Sequence, residues 1–299
     1  MVNPNGECSI AKAFKKYGEL VEVWVGEKEL NKKIVDVTKT FFPNIVFVQV
    51  HEGGKIHPTV IKHLRSLSAF VINWNGDIRH DTPLWMIEQA NDYSVTTFSN
   101  MRDVKHLRSL GLNSEWLEIG YDQDIYNPVG PVNNNVKPIV FFGNNVHSFP
   151  MSNYRTQMCM HLKMAFRDQF GVYGMQQGSD GNFNSSQYDE AAAYRNAKIA
   201  INLSHFEVEK YTSDRMYRIL GTGVMCLAKR YPGIEEQFTD GVNLVMWDNI
   251  PELIEKVKHY MANDSERIAI AKAGNELALK EYTFDSMVKN MIKLYEKTI

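Results

Sequence analysis

The stretch from Lys198 to Trp247 constrains the fold more than any other part of the chain. Ile199–Leu203 is a short continuous apolar run, the mark of a strand buried on both faces. A polar, partly acidic loop follows, and then Thr212-Ser213-Asp214, three residues that favour helix starts. Arg215–Leu220 reads as a helix closed by Gly221 and Gly223, and Val224–Ala228 as a second buried strand. Strand, loop, helix and strand make a βαβ unit. Ligands in such units bind beyond the C-terminal ends of the strands.

The same alternation runs along the whole chain. Strands are expected at Leu20–Val25, Asn44–Val50, Ala69–Ile72, Ser94–Phe98 and Trp116–Ile119, with helices at Glu27–Phe41, Thr59–Leu67, Leu84–Gln89 and Arg102–Leu110. Residues 127–137 (NPVGPVNNNVK) have no periodicity and read as a linker. The pattern then restarts with strand Pro138–Phe142, helix Asn153–Asp168 and strand Val172–Tyr173. Two amphipathic helices and a last helix end it. The fold expected is α/β, with two Rossmann-like domains facing across a cleft. Residues 1–130 form the first and 137–282 the second, and the helix 283–299 packs back on the first domain.

Composition narrows the class. The 299 residues are 44% hydrophobic and 23% charged with a net charge of -2, which gives no global pull toward nucleic acid or membrane. The three cysteines, Cys8, Cys159 and Cys226, are far apart and form no Cys-x-x-Cys, which points to reduced thiols. No apolar run approaches the ~18 residues of a membrane span, and the N-terminus has no signal-peptide pattern. A cytoplasmic protein is expected. No G-x-G-x-x-G follows a strand, so a dinucleotide-dependent oxidoreductase is disfavoured.

Thr212–Phe238, Glu252-Leu253, Arg267-Ile268-Ala269 and Gly274 together resemble the C-terminal half of GT-B glycosyltransferases of the "glycosyl transferases group 1" superfamily. The likeness points to the spore-maturation-type branch. Glu118–Pro128 is similar to the segment that closes the N-terminal domain in that superfamily, and Phe141-Phe142-Gly143 to the strand that opens the second. The resemblance implies a retaining, metal-independent transfer of a sugar from a nucleotide sugar, a UDP-sugar foremost, to an acceptor hydroxyl. No cofactor is implied beyond that co-substrate. The first domain would take the acceptor, whether saccharide, small molecule or DNA base, and the second the donor. One departure stands out: Lys210 and Arg218 fall where many relatives carry a Glu-x7-Glu pair, and Glu207, Glu209, Glu235 or Glu236 would have to substitute.

On this resemblance the donor side gathers Gly143, Asn144, Gly174, Met175, Thr212, Ser213, Arg215 and Glu235. Arg215, in the first turn of its helix, would complete a diphosphate site; without the resemblance, a surface arginine paired with Asp214 or Glu209 is the commoner reading. The acceptor side gathers His51, Trp74, Asp77 and Arg79, which read as loop residues past strand ends. Asp77 or His51 could take a proton from the acceptor, or Asp77 could merely hold a turn. Asp122-Gln-Asp124 spells the D-x-D string of another transferase fold, and its place after a completed domain marks it as a chance match. Two rival functions remain: a transferase acting on hydroxylated bases of viral DNA, and a relative that binds nucleotide sugar without catalysis.

Overall fold

The computed structural model describes residues 9–144, 146–174, 180 and 186–298. The chain divides into two compact units, 1–119 with 285–299, and 120–284.

The first unit is built on four parallel strands, β1 (Ile45–Val48), β2 (Phe70–Asn75), β3 (Val95–Phe98) and β4 (Ser114–Trp116), in the order β1-β2-β3-β4. Helices α1 (Ser9–Phe14), α2 (Leu30–Val37), α3 (Pro58–Ser66), α4 (Leu84–Gln89) and α5 (Met101–Ser109) precede or join them. α3 starts on Pro58, whose missing N–H costs nothing in a first turn, with the His57 ring accepting from the Thr59 N–H. Asn100 caps α5 through the Asp103 N–H. Val48 and Val71 pack with Val60, Ile61 and Leu64 of α3, while Phe98 packs with Val104 and Leu107 of α5.

The second unit holds β5 (Ile139–Phe142), β6 (Phe170–Tyr173), β7 (Ile199–Asn202), β8 (Met225–Lys229) and β9 (Val245–Trp247), all parallel, in the order β6-β5-β7-β8-β9. They alternate with α6 (Ser152–Phe166), α7 (Gln187–Asn196) and α8 (Arg215–Gly221), and are followed by α9 (Ile250–Ala262) and α10 (Asp264–Glu281). Sequential strands β5 and β6 run to one side, and β7 returns to the other side of β5. The order therefore reverses between β5 and β7, and that is the switch point of the sheet. The first unit's strands follow one another without such a reversal.

The last helix, α11 (Phe284–Glu296), belongs to the first unit from Asp285 onward. Met287, Val288 and Met291 are buried, Tyr295 meets Phe70 of β2 at 5.8 Å between ring centroids, and Asp285 pairs with Lys16.

The structure corrects several expectations. Residues 20–25 form no strand: Val21 and Trp24 are exposed and no neighbouring strand offers backbone partners. The helix expected at Glu27–Phe41 is confined to Leu30–Val37. Residues 127–137 are no free linker, because Arg195 of α7 donates to the carbonyls of Ile125, Asn127 and Pro131 and holds the segment on the second unit.

Trp74 is the largest correction. It lies inside β2 rather than in a loop, 4% exposed, with its indole N–H given to the Leu117 carbonyl at 3.1 Å. Its ring packs 6.0 Å from Phe47, and Gly76 passes so close over it that a Cβ there would sit 2.3 Å from the indole. An apolar body with its one polar atom satisfied is a core side chain. Trp74→Ala is therefore expected to lower the stability of the first unit by about 3–5 kcal/mol in urea unfolding. An unchanged midpoint would return Trp74 to the surface.

Candidate functional site

The switch point of the second sheet is lined by two arginines. Gly143 and Leu203 directly follow β5 and β7, so their backbones mark the strands' C-terminal edge. Arg215 reaches this edge from the first turn of α8. Its Nη1 donates to the Phe142 carbonyl at 2.6 Å, its Nη2 to the Leu203 carbonyl at 3.2 Å, and its Nε to the Asn202 Oδ1 at 3.2 Å. Arg155 comes from the buried stripe of α6, in line with Met158 and Leu162. It donates to the Asn144 and Leu203 carbonyls at 2.5 Å each and lies 2.7 Å from the His205 Nε2. Both guanidiniums lie over the Phe141 ring, 5.3 and 5.2 Å from its centroid.

Two buried cations thus share one carbonyl oxygen. Among the described residues neither makes an ion pair, and the Nε of Arg155 is buried without a hydrogen-bond partner. Like charges out of water repel strongly. Burial, and then the charge of Arg215, pull the Arg155 pKa down to about 9. Burial and the two guanidiniums hold His205 down to about 3. His205 is then neutral near pH 7, its Nε2 placed between the Arg155 Nη1 and the Asn144 Oδ1, and its Nδ1 buried without a partner among the described residues. An anion entering here would relieve the repulsion and find donors waiting.

Glycines let the backbone make this cradle. A Cβ on Gly143 would lie 2.5 Å from the Arg215 Nη1, and one on Gly174 would lie 2.8 Å from the Gly143 carbonyl oxygen. Gly174 also has φ +132, a conformation side chains rarely adopt. The Gly143 N–H donates to the Tyr173 carbonyl at 2.8 Å and locks the two strand ends together.

The other donor-side residues divide. Asn144 holds His205 through its Oδ1 at 2.7 Å. Ser213 accepts from the Arg215 Nη2 at 2.8 Å and so orients it. Thr212 is buried and turned inward, accepting from Asn202 Nδ2 at 3.0 Å. Neither Ser213 nor Asp214 caps α8 with a side-chain hydrogen bond; Asp214 pairs instead with Arg218. Glu235 stands apart, paired with Arg230 in an exposed cluster with Asp240 and Asp248. Met175 lies outside the described residues.

The two basic residues at the acid positions are both engaged. Arg218 is held by Glu190 at 3.1 Å and by Asp214, with Tyr126 donating to the same Glu190 at 2.7 Å. Burial acts to lower its pKa, but the two carboxylates win and raise it. Lys210 has φ +51 and pairs with Glu236 at 2.5 Å. Glu207 is taken by Lys229 at 3.4 Å.

In the first unit, three of the four acceptor-side residues converge. His51 Nδ1 lies 3.1 Å from Asp77 Oδ2, and Arg79 donates to the backbone carbonyls of both, at 3.3 Å each. They occupy the loops after β1 and β2 and are open to solvent. Asp122 of the D-x-D string holds a turn, accepting from the Asp124 N–H at 2.9 Å.

Arg155, Asn202 and His205 escaped the sequence reading. Each left a trace: an arginine on an otherwise apolar helix stripe, an amide ending an apolar strand, and a histidine three residues on.

His205 gives a pH dependence with a definite sign. The unfolded chain takes a proton near pH 6.5, and the native site refuses it until about 3. The stability held above pH 6.5 should therefore fall as pH drops toward 3. Urea midpoints at pH 7 and 4.5 should differ less in His205→Gln than in the parent protein; an equal difference would exclude His205 as the source.

Residues 155–293 match a family described as glycosyl transferase-like. No curated protein matches the chain in sequence. Solved structures do. A glycosyltransferase from Rickettsia africae superposes with TM-score 0.65 at 12% identity, covering 97% of this chain and 93% of that one. Anabaena HepE in complex with UDP-glucose gives 0.61 at 11%, covering 97% and 90%. Sucrose-phosphate synthase from Thermosynechococcus elongatus gives 0.61 at 11%, covering 90% and 77%. The protein therefore has the two-sheet α/β fold of GT-B glycosyltransferases, and most of the glycosyl transferase-like match falls in its second unit.

Proposed function

We propose that the protein is a glycosyltransferase that moves a sugar from a UDP-sugar to an acceptor hydroxyl. The observation that carries this reading is the pair of buried guanidiniums, Arg155 and Arg215, at the switch point, neither with a carboxylate partner among the described residues. A diphosphate is the natural counterion there, since guanidiniums bind its oxygens with charge-assisted hydrogen bonds. As the glycosyl bond breaks, negative charge grows on the leaving diphosphate. Fixed positive groups already in place would stabilise that charge without reorganising. The UDP-glucose complex of HepE, a protein of the same fold, supports uridine as the base. The guanidiniums, rather than a metal, meet the charge in this proposal.

The proposed course is retaining, on the likeness to the group 1 superfamily and its spore-maturation-type branch. A leaving-phosphate oxygen then takes the acceptor's proton, and the His51–Asp77 pair of the first unit orients the acceptor hydroxyl. The site of action proposed is the cytoplasm. A second reading is binding without transfer. It is favoured by one observation: Lys210 and Arg218 stand at the acid positions, each neutralised by protein carboxylates.

Calorimetric titration with UDP-glucose and UDP tests the donor site. Arg155→Ala and Arg215→Ala should each weaken UDP by about 10–150-fold, the worth of a charged hydrogen bond of roughly 1.5–3 kcal/mol. Unchanged affinity in both would refute the site. UDP-glucose bound tightly but never consumed, with acceptor panels present, would select the second reading.

Asp77→Asn and His51→Gln should lower kcat by less than about tenfold on the retaining course. A loss of about 10²–10⁴-fold, with an inverted anomeric centre by NMR, would make the pair a general base.

A further inference from the structure

At the other end of the second sheet lies a cavity of about 290 Å³. It is bordered by Lys198, just before β7, by Gly223, two residues before β8, and by Pro128; α10 closes it with Arg267, Ile268 and Lys272. These positions are at the N-terminal ends of the strands. The four residues of β7 therefore separate the cavity from the paired arginines by about 13 Å.

Arg267 is the unusual wall. It is 6% exposed, and only its Nη1 is bonded, to the Tyr260 carbonyl at 3.0 Å and to Asp264 at 2.5 Å. Its Nε and Nη2 have no acceptor among the described residues, yet they are not sealed off from solvent-sized space. Donors on a largely buried guanidinium that still meet solvent are open to a charge-assisted hydrogen bond to a ligand oxygen. The charges point the same way. Asp264 is shared by Arg267 and, at 3.7 Å, by Lys198, while Glu276 is 3.9 Å from Lys272. Three cations thus face two carboxylates, and the Asp264 side chain is 62% exposed and screened by water. Apart from Asn275, the rest of the lining is apolar, with Ile268, Ala271, Ala197, Val224 and Met225.

We propose that this cavity is a second ligand site, for a small organic anion with an apolar body and one carboxylate or phosphate group. Its volume is at the lower limit of small-molecule pockets, about 300–1,000 Å³, so a nucleotide sugar is too large for it. The inference is independent of the glycosyltransferase reading. Asn275 of α10, also at the cavity, donates to the Leu220 and Gly221 carbonyls at 3.0 and 2.7 Å, so an occupant would touch the turn that ends α8.

Saturation-transfer NMR with phenyl phosphate and benzoate tests it, with benzyl alcohol and inorganic phosphate as partial mimics. Phenyl phosphate or benzoate should bind saturably, and the two mimics at least about tenfold more weakly. Lys272→Glu and Ile268→Trp change exposed side chains, so the fold should survive, as melting temperatures would show. Both variants should weaken the anion by about tenfold or more, and Arg215→Ala should leave it unchanged. No saturable binding of either anion would overturn the proposal. So would binding that disappears in Arg215→Ala but persists in Lys272→Glu.

Discussion

Everything at the proposed donor site depends on one carbonyl oxygen, that of Leu203, which accepts from both Arg155 and Arg215. It holds two guanidiniums from different helices at the reversal of the strand order, where the edges of β5 and β7 diverge. Gly143 must lack a side chain for Arg215 to arrive, and Gly174 must lack one for Gly143 to sit where it does. Asn202 and Ser213 fix the plane of the Arg215 guanidinium, and His205 and Asn144 meet Arg155. Neutral acceptors do all of this. The charge is organised in advance but left uncompensated, which is what an anion site requires.

One turn further along α8, Arg218 shows the opposite solution. It is half-buried, and it has Glu190 and Asp214 for partners and the Tyr126 ring 5.4 Å away. One short helix therefore carries an arginine spent on structure and an arginine that the proposed function assigns to the donor. The distinction lies wholly in the carboxylates around them, since residue type and helix position are nearly the same. Removing one partner of Arg218 would strand a buried charge and disturb the helix that presents Arg215.

The chain pattern made the strands legible because β-branched, continuously apolar runs leave few alternatives to a buried parallel sheet. Ile199–Asn202 and Met225–Lys229 lie within a residue of where the pattern put them. Asn73-Trp74-Asn75 was opaque for the converse reason. Two asparagines made a buried strand end look like a loop, although Asn73 is fully buried. Residues 20–25 had the composition of a strand and no neighbour to pair with, and pairing is a tertiary fact. Arg215 could be singled out because it stands in a recognisable local pattern. Arg155 lies sixty residues earlier in sequence, and only the folded sheet brings the two together.

The chain passes from the first unit into the second at Gly120 and returns at Asp285. The two passages lie side by side: Tyr121 donates to the Tyr282 carbonyl and Phe284 to the Tyr121 carbonyl, each at 3.0 Å. α11 brings Tyr295 against Phe70 of a sheet whose last strand ended at Trp116. During synthesis the later unit can thus close before the earlier one, which must wait for a helix that emerges after some 165 intervening residues, 120–284, have left the ribosome. Until then the face of β2 around Phe70 is uncovered. A stalled or truncated chain would expose that part of the sheet while the other unit is already finished, and that is the species a chaperone or protease would meet first.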